Sequence, residues 1–417
     1  DLSQLSVDTP NLLDYTFSSA PVDWWVQKGI WEVTERWTCG PQWSFFGGVG
    51  AVNPVLWSKP VFEGDLTVEI YAATPMDPAR GERSPAEINM TICGNGRDLS
   101  SGYSFIFAGA NQTLNRLYRG DDIVAQQPFV RVMSNAHQGW FYLRVEKSGG
   151  RLRFFANDRL LLEYHDPQPL RGGRVAFWSY NGGISLARVR LWYERIVPST
   201  SLTELWSMDA FTPSPPPSTV TAFEPTNDFE TDLGSWTNKD RHDVVTLSLD
   251  ASTASQGKRS LKIQNATSGG DFTVWATRQP FDAEKFPLIR FDYKIPPNVR
   301  VNLYARIKGI VWEIGFTAPR DSLPAPSLLA ARAGFGEPRV RNSLSIGRIE
   351  GVLTDNRWRS ATFDLLTAIR RANLDSTIVE ELAFASPNEP YLRCGFGGNH
   401  FGATYHLDNF RLEAAKP

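Results

Sequence analysis

The sequence predicts an all-β chain built as two jelly-roll β-sandwich domains in tandem. Three observations carry this. Short runs alternate polar and apolar residues with period two. Gly, Pro, Asn and Asp cluster between those runs, where turns are needed. A Pro/Ser/Thr-rich stretch interrupts the alternation near the middle of the 417 residues.

That stretch sets the domain limits. Residues 8–197 form one module, 198–222 a linker and 223–415 a second module. The linker holds Pro198, Ser199 and Thr200, then Pro213 to Thr219 with three consecutive prolines. Prolines donate no ladder hydrogen bond and favour an extended spacer. An apolar patch, Leu202 to Phe211, is expected to pack on one module. Each module is long enough to bury its own core.

Net charge is −2, which gives no electrostatic case for nucleic acid or an anionic membrane as partner. No run of about 18 apolar residues is present, so no spanning helix is expected. The chain carries 14 Trp. These suit sandwich cores, and an indole face also suits stacking on a pyranose ring. Three cysteines, Cys39, Cys93 and Cys394, make no disulfide framework, although Cys39 and Cys93 share a module and pairing stays open. No Cys/His cluster reads as a zinc site. The start at Asp1 fits a secreted chain whose signal peptide has been removed, and an extracellular or cell-surface location, the periplasm included, is expected.

In the first module, Asp65–Tyr71 and Glu87–Ile92 alternate cleanly. Tyr103–Phe107, Trp140–Glu146, Leu152–Ala156 and Leu160–Tyr164 follow. Gly173–Trp178 and Ile184–Trp192 read as a hairpin across Tyr180-Asn181-Gly182-Gly183. The runs Trp140 to Glu146, Leu152 to Asp158 and Gly173 to Trp178 resemble the closing strands of concanavalin A-like lectin/glucanase domains. Leu56 to Asp65, a Trp followed by Phe-x-Gly-Asp, resembles their early strand. The resemblance implies the fold and leaves lectins, glycosidases, lyases and accessory modules all open.

Members with glucanase activity carry Glu-x-Asp-x-Glu on one strand. Here Glu63, Asp65 and Glu69 share a face, but Glu63 and Glu69 lie roughly 20 Å apart along an extended strand. A retaining pair needs about 5–5.5 Å and an inverting pair about 6.5–9.5 Å. No catalytic residue is therefore assigned. Carboxylates from different strands, such as Glu87 with Glu69, remain an alternative. For a lyase the module offers Tyr103, Arg116, Tyr118, Arg119, His137 and His165. Arg116 and Tyr118 share one face of a strand, either an anionic-sugar surface or a solvated edge. His165 reads as a strand-end turn residue.

The second module opens with Asn227 to Trp236, continues with Ala254 to Ile263 and closes with Thr404 to Leu412. These blocks resemble carbohydrate-binding modules of the galactose-binding-like jelly-roll fold. The resemblance implies a structural calcium held by Glu230, the backbone carbonyl of Lys258 and Asp408. It also implies a sugar platform on the concave sheet. Trp275 projects from one alternating run and Asn302, Tyr304 and Arg306 from another. Asn399 and His400 are expected to close one side. Trp312 alternates with Ile310, Ile314 and Phe316 and is assigned to the core, which leaves Glu313 on the polar side. Residues 320–346 read as a long loop, a lid or a partner-binding segment.

Three functions follow as expectations. The first is an extracellular carbohydrate-binding protein acting on a polysaccharide or other glycan. The second is a polysaccharide hydrolase or lyase, with the first module catalytic and the second targeting. The third is a structural surface protein that self-assembles. Asn89-Met90-Thr91, Asn111-Gln112-Thr113 and Asn265-Ala266-Thr267 are glycosylation sequons.

Overall fold

The computed structural model describes residues 11–17, 19–34, 45–49, 53–74, 87–129, 139–180, 182–197, 223–238, 244–267, 269, 272–317, 344–387, 389 and 391–414. The chain divides into two compact units, residues 1–207 and 208–417. Cys39, His137, the 202–211 patch and most of the long loop, 320–343, lie outside the described residues.

The described part of unit 1 contains, in chain order, β1 (Leu12–Thr16), β2 (Trp24–Lys28), β3 (Ile30–Thr34), β4 (Phe45–Val49), β5 (Val55–Ser58), β6 (Val61–Ala73), β7 (Ile88–Gly94), β8 (Tyr103–Ala108), a one-turn helix α1 (Gly109–Gln112), β9 (Leu114–Arg119), β10 (Asp122–Pro128), β11 (Trp140–Ser148), β12 (Arg151–Ala156), β13 (Arg159–His165), β14 (Gly172–Trp178) and β15 (Ile184–Val197). One layer runs β10-β9-β8-β7-β14-β5-β2. The other centres on β6, flanked by β11-β12-β13 and by β15. Period-two alternation builds the core between them. Ile88, Met90, Phe105 and Phe177 from one layer meet Val68, Ile70, Leu143 and Phe154 from the other. Phe154 packs against Phe105 at 5.5 Å between centroids, an aromatic contact across the layers.

Two expectations change here. β14 pairs with β5, β6 and β7, whereas β15 pairs with β1, β4 and β6. β14 and β15 therefore form no hairpin with each other; the sequence signal marked a reversal and not a partner. β9 is no edge strand, since β8 and β10 flank it.

Unit 2 continues with β16 (Thr226–Asn227), β17 (Val245–Asp250), β18 (Ser260–Asn265), β19 (Val274–Thr277), β20 (Phe281–Asp282), β21 (Leu288–Lys294), β22 (Asn302–Ile307), β23 (Ile310–Gly315), β24 (Leu344–Arg348), β25 (Arg359–Asp364), α2 (Leu365–Arg371), β26 (Ile378–Val379), β27 (Glu381–Ala385) and β28 (Thr404–Glu413). Two sheets face each other, β17-β18-β28-β21-β25 and β19-β27-β22-β23-β24. Trp236 sits between them, 5.6 Å from Phe384 on β27 and 5.1 Å from Phe410 on β28. Trp312 packs on this core, as its alternation predicts. α2 is capped by Asp364, whose carboxylate accepts from the Thr367 amide at 2.9 Å.

Candidate functional site

The five-stranded sheet of unit 2 turns Leu303, Ala305, Leu382 and Phe384 into the core. Its other face carries a row across the strands. Trp275 on β19 lies opposite Ala383 on β27, which lies opposite Tyr304 on β22; Tyr304 lies opposite Glu313 on β23, and Glu313 opposite Ser345 on β24. Ala383 has only a methyl group, so the indole and the phenol flank a low floor. Their strands are two spacings, about 9–10 Å, apart. Trp275 is half-buried.

Charged groups border the indole. Arg278 lies over the Trp275 ring at 5.5 Å and pairs with Glu381 at 3.4 Å. Arg306 holds the other Glu381 oxygen at 3.1 Å. Glu381 thus bridges two guanidinium groups, each bound to it through Nε. The Tyr304 hydroxyl donates to Glu313 at 3.0 Å and lies 3.3 Å from the Ser386 carbonyl. Burial, reinforced by the Glu313 charge, pushes that hydroxyl well above the ordinary phenol range, so it stays a donor.

The structure thus separates the residues singled out in unit 2. Trp275 and Arg306 reach the surface of the face. Tyr304 is only 3% exposed and serves as a buried support for Glu313. Asn302 is buried, and its oxygen accepts from the Phe316 amide at 2.8 Å. Asn399 is fully buried and clamps Arg300 through both backbone groups, at 2.7 and 2.8 Å. Sugar contact by Tyr304, Asn302 or Asn399 is corrected accordingly: alternation gives the face of a strand but not the depth of cover above it. His400 is half-buried, and its carbonyl accepts from Asn265 at 3.2 Å. Glu381, Ala383 and Arg278 were missed, although Glu381-Leu-Ala-Phe-Ala385 carries the same period-two signal.

In unit 1, Arg116 and Tyr118 share the face of their layer that turns away from the core, together with Asn89, Thr91, Ser104 and Trp178. These side chains are nearly all buried, so a solvated surface is excluded for Arg116 and Tyr118. Tyr103 points the other way, into the core, and donates to Asp166 at 2.6 Å. Arg119 joins the same carboxylate at 2.5 Å. Tyr103 is therefore a structural residue rather than a sugar contact. Glu69 stands on the outer face of the other layer, paired with Arg190 at 2.7 Å. The core lies between it and Glu87, so the two cannot flank one glycosidic bond. Glu63 pairs with Arg195, and Asp65 accepts from Ser148 and Gly149 at 2.9 and 2.7 Å. Each member of the acidic triplet has its own partner.

Around the expected calcium position, Glu230 Oε1 accepts from the amides of Lys258 and Arg259 at 2.8 and 3.0 Å. Asp408 Oδ2 accepts from the amides of Ser255 and Gln256 at 2.8 and 3.2 Å. Both carboxylates grip the same 251–259 loop, as the resemblance implies, but the loop presents amide hydrogens to them. A cation needs converging oxygens. Here the oxygens the resemblance assigns to calcium, Glu230 Oε1 and Asp408 Oδ2, are each held by two backbone amides. Gly257, at φ +68°, is required here, since a Cβ would lie 2.2 Å from Glu230 Oε1.

No family model and no curated protein matches this chain. Among solved structures it is similar to a protein of unknown function with galectin-like fold from Bacillus subtilis, at 13% identity over 42% of this chain and 90% of that one, TM-score 0.33. It is also similar to a carbohydrate-binding module from Bacillus subtilis, at 17% identity over 40% and 94%, TM-score 0.31. A Bacillus licheniformis β-glucanase gives 11% identity over 45% and 100%, TM-score 0.33. The functional reading rests on the residues described above.

Proposed function

We propose that this chain is an extracellular or cell-surface glycan-binding protein whose binding face is the outward side of the five-stranded sheet in unit 2. The observation that carries the reading is the half-buried Trp275 indole, bordered by the Arg278–Glu381–Arg306 group on the same face. A pyranose ring fits this chemistry. Its apolar C–H face stacks on the Trp275 indole, and its edge hydroxyls meet planar guanidinium donors and carboxylate acceptors. Binding, rather than cleavage, suits the carboxylates singled out in unit 1, since Glu63, Asp65 and Glu69 each hold a structural partner and Glu87 lies beyond the core.

The test is a soluble polysaccharide panel screened by calorimetry and by release of reducing ends. Binding without turnover, lost in Trp275→Ala with an unchanged melting temperature, is expected. Turnover that survives Trp275→Ala and is lost on changing unit 1 residues would replace this reading with an enzymatic one.

A further inference from the structure

The outward face of the β6 layer in unit 1 carries several aromatic rings. Ile70 and Ala72 turn into the core, so Tyr71 between them turns outward, and it is 38% exposed. Its ring stacks on that of half-buried Trp140 on β11, with centroids 5.2 Å apart and 24° between the planes. Directly opposite Tyr71 on β15 stands Arg188. Arg188 holds Asp14 by two hydrogen bonds, at 3.0 and 2.6 Å, and both side chains are partly exposed. Two other rings of this face lie under guanidinium groups: Arg144 is 4.4 Å from the Phe155 ring and Arg190 is 5.1 Å from the Trp192 ring. The acids are paired as well, Glu69 with Arg190 at 2.7 Å and Glu146 with Arg144 at 3.0 Å.

These features select a partner. With Asp14, Glu69 and Glu146 each matched to an arginine, the face has no lone charge to draw an ion. The two stacked rings offer at most about 500 Å², less than the roughly 800 Å² that each partner of a stable dimer contributes. A protein-sized contact would have to bury the surrounding ion pairs, at a desolvation cost. A sugar ring needs less: one aromatic ring under its C–H face, and groups that donate and accept at its hydroxyl rim. We infer that Tyr71 and Trp140 form a second glycan-contact site, on unit 1, for a neutral pyranose residue. The sugar stacks on Tyr71, and its hydroxyls meet Arg188 and Asp14. The site shares no residue with the unit 2 face and stands or falls apart from it. A single stacked sugar is a weak contact, with a Kd of about 1 mM.

The test is native affinity electrophoresis of the full chain in gels containing laminarin, xyloglucan, galactomannan or dextran, a format that registers contacts too weak for calorimetry. Trp275→Ala isolates unit 1 and is expected to be retarded by at least one of the four. Adding Tyr71→Ala is expected to remove that retardation; adding Tyr71→Phe, which keeps the ring, is expected to preserve it. Tyr71 is exposed, so both variants are expected to fold. No retardation of Trp275→Ala in any gel, or equal retardation with and without Tyr71→Ala, would overturn the inference. A concentration-dependent dimer in sedimentation velocity, abolished by Tyr71→Ala, would also overturn it by assigning the face to a second copy. The unit 2 reading fails on a different outcome, retardation of Trp275→Ala at the wild-type level.

Discussion

Tyr304 and Glu313 lie opposite each other on paired strands and share a 3.0 Å hydrogen bond beneath the outward face of unit 2. The bond uses a buried hydroxyl to fix a partly exposed carboxylate. Tyr304→Phe is expected to cost about 1–2 kcal/mol in chemical denaturation. Glycan affinity should fall less than in Trp275→Ala, since the phenol itself is covered.

Asp166 gathers Tyr103, Arg119 and the Gln168 amide onto one buried carboxylate. Asp166→Ala leaves the Tyr103 hydroxyl and the guanidinium without their acceptor. A loss of about 2–3 kcal/mol is expected, read as a lower urea midpoint with unchanged slope.

Asp250 and His406 make unit 2 sensitive to acid. Burial opposes the Asp250 charge, but hydrogen bonds from Ser252 and His406 hold its carboxyl down at about 2. Its stabilising share is present above the unfolded value, about 3.9, and is lost as pH falls from there toward 2. Burial lowers His406 below the ordinary imidazole range despite Asp250. A depressed histidine favours the neutral form when folded, so stability is also lost as pH falls below about 6.5. Melting temperature should therefore drop on acidification in both windows. Asp250→Asn should flatten the drop below pH 4.

The amide cradle around Glu230 and Asp408 bears on the calcium expectation. Dialysis against a chelator should leave the melting temperature unchanged, because amides already compensate both carboxylates. Gly257→Ala should lower it, since the new methyl group displaces Glu230 from its two amide donors.

Cys93 is buried, and burial pushes its thiol up to about 11. Native protein at pH 8 should resist iodoacetamide at Cys93 and react there after unfolding, as followed by peptide mass spectrometry.

The alternation of Ile88, Met90 and Ile92 with Asn89 and Thr91 made the layers and their inner faces legible from the sequence, because period two follows from strand geometry. Arg116 and Tyr118 were placed on one face for the same reason, and Trp312 in the core. What sequence could not give was cover and partner. Asn399 looked like an exposed loop residue in a glycine-rich turn, yet it is a buried clamp on Arg300. Asn89 and Asn265 read as glycosylation sites, yet both are fully buried and unavailable to a glycosyltransferase once folded. The 180–183 turn marked a reversal without saying which strand waited on the other side.

That turn has a consequence for how the chain reaches its native state. Ile70 on β6 is bonded to Leu143 on β11 and Val189 on β15, partners about 70 and about 120 residues further along, so closure is dominated by distant pairings and is expected to be slow. During synthesis the edges of β6 stay unpaired until β11 and then β15 emerge. A chain stopped after Trp178 would leave one of those edges open to other chains. Unit 1 is thus committed only when its last strand arrives.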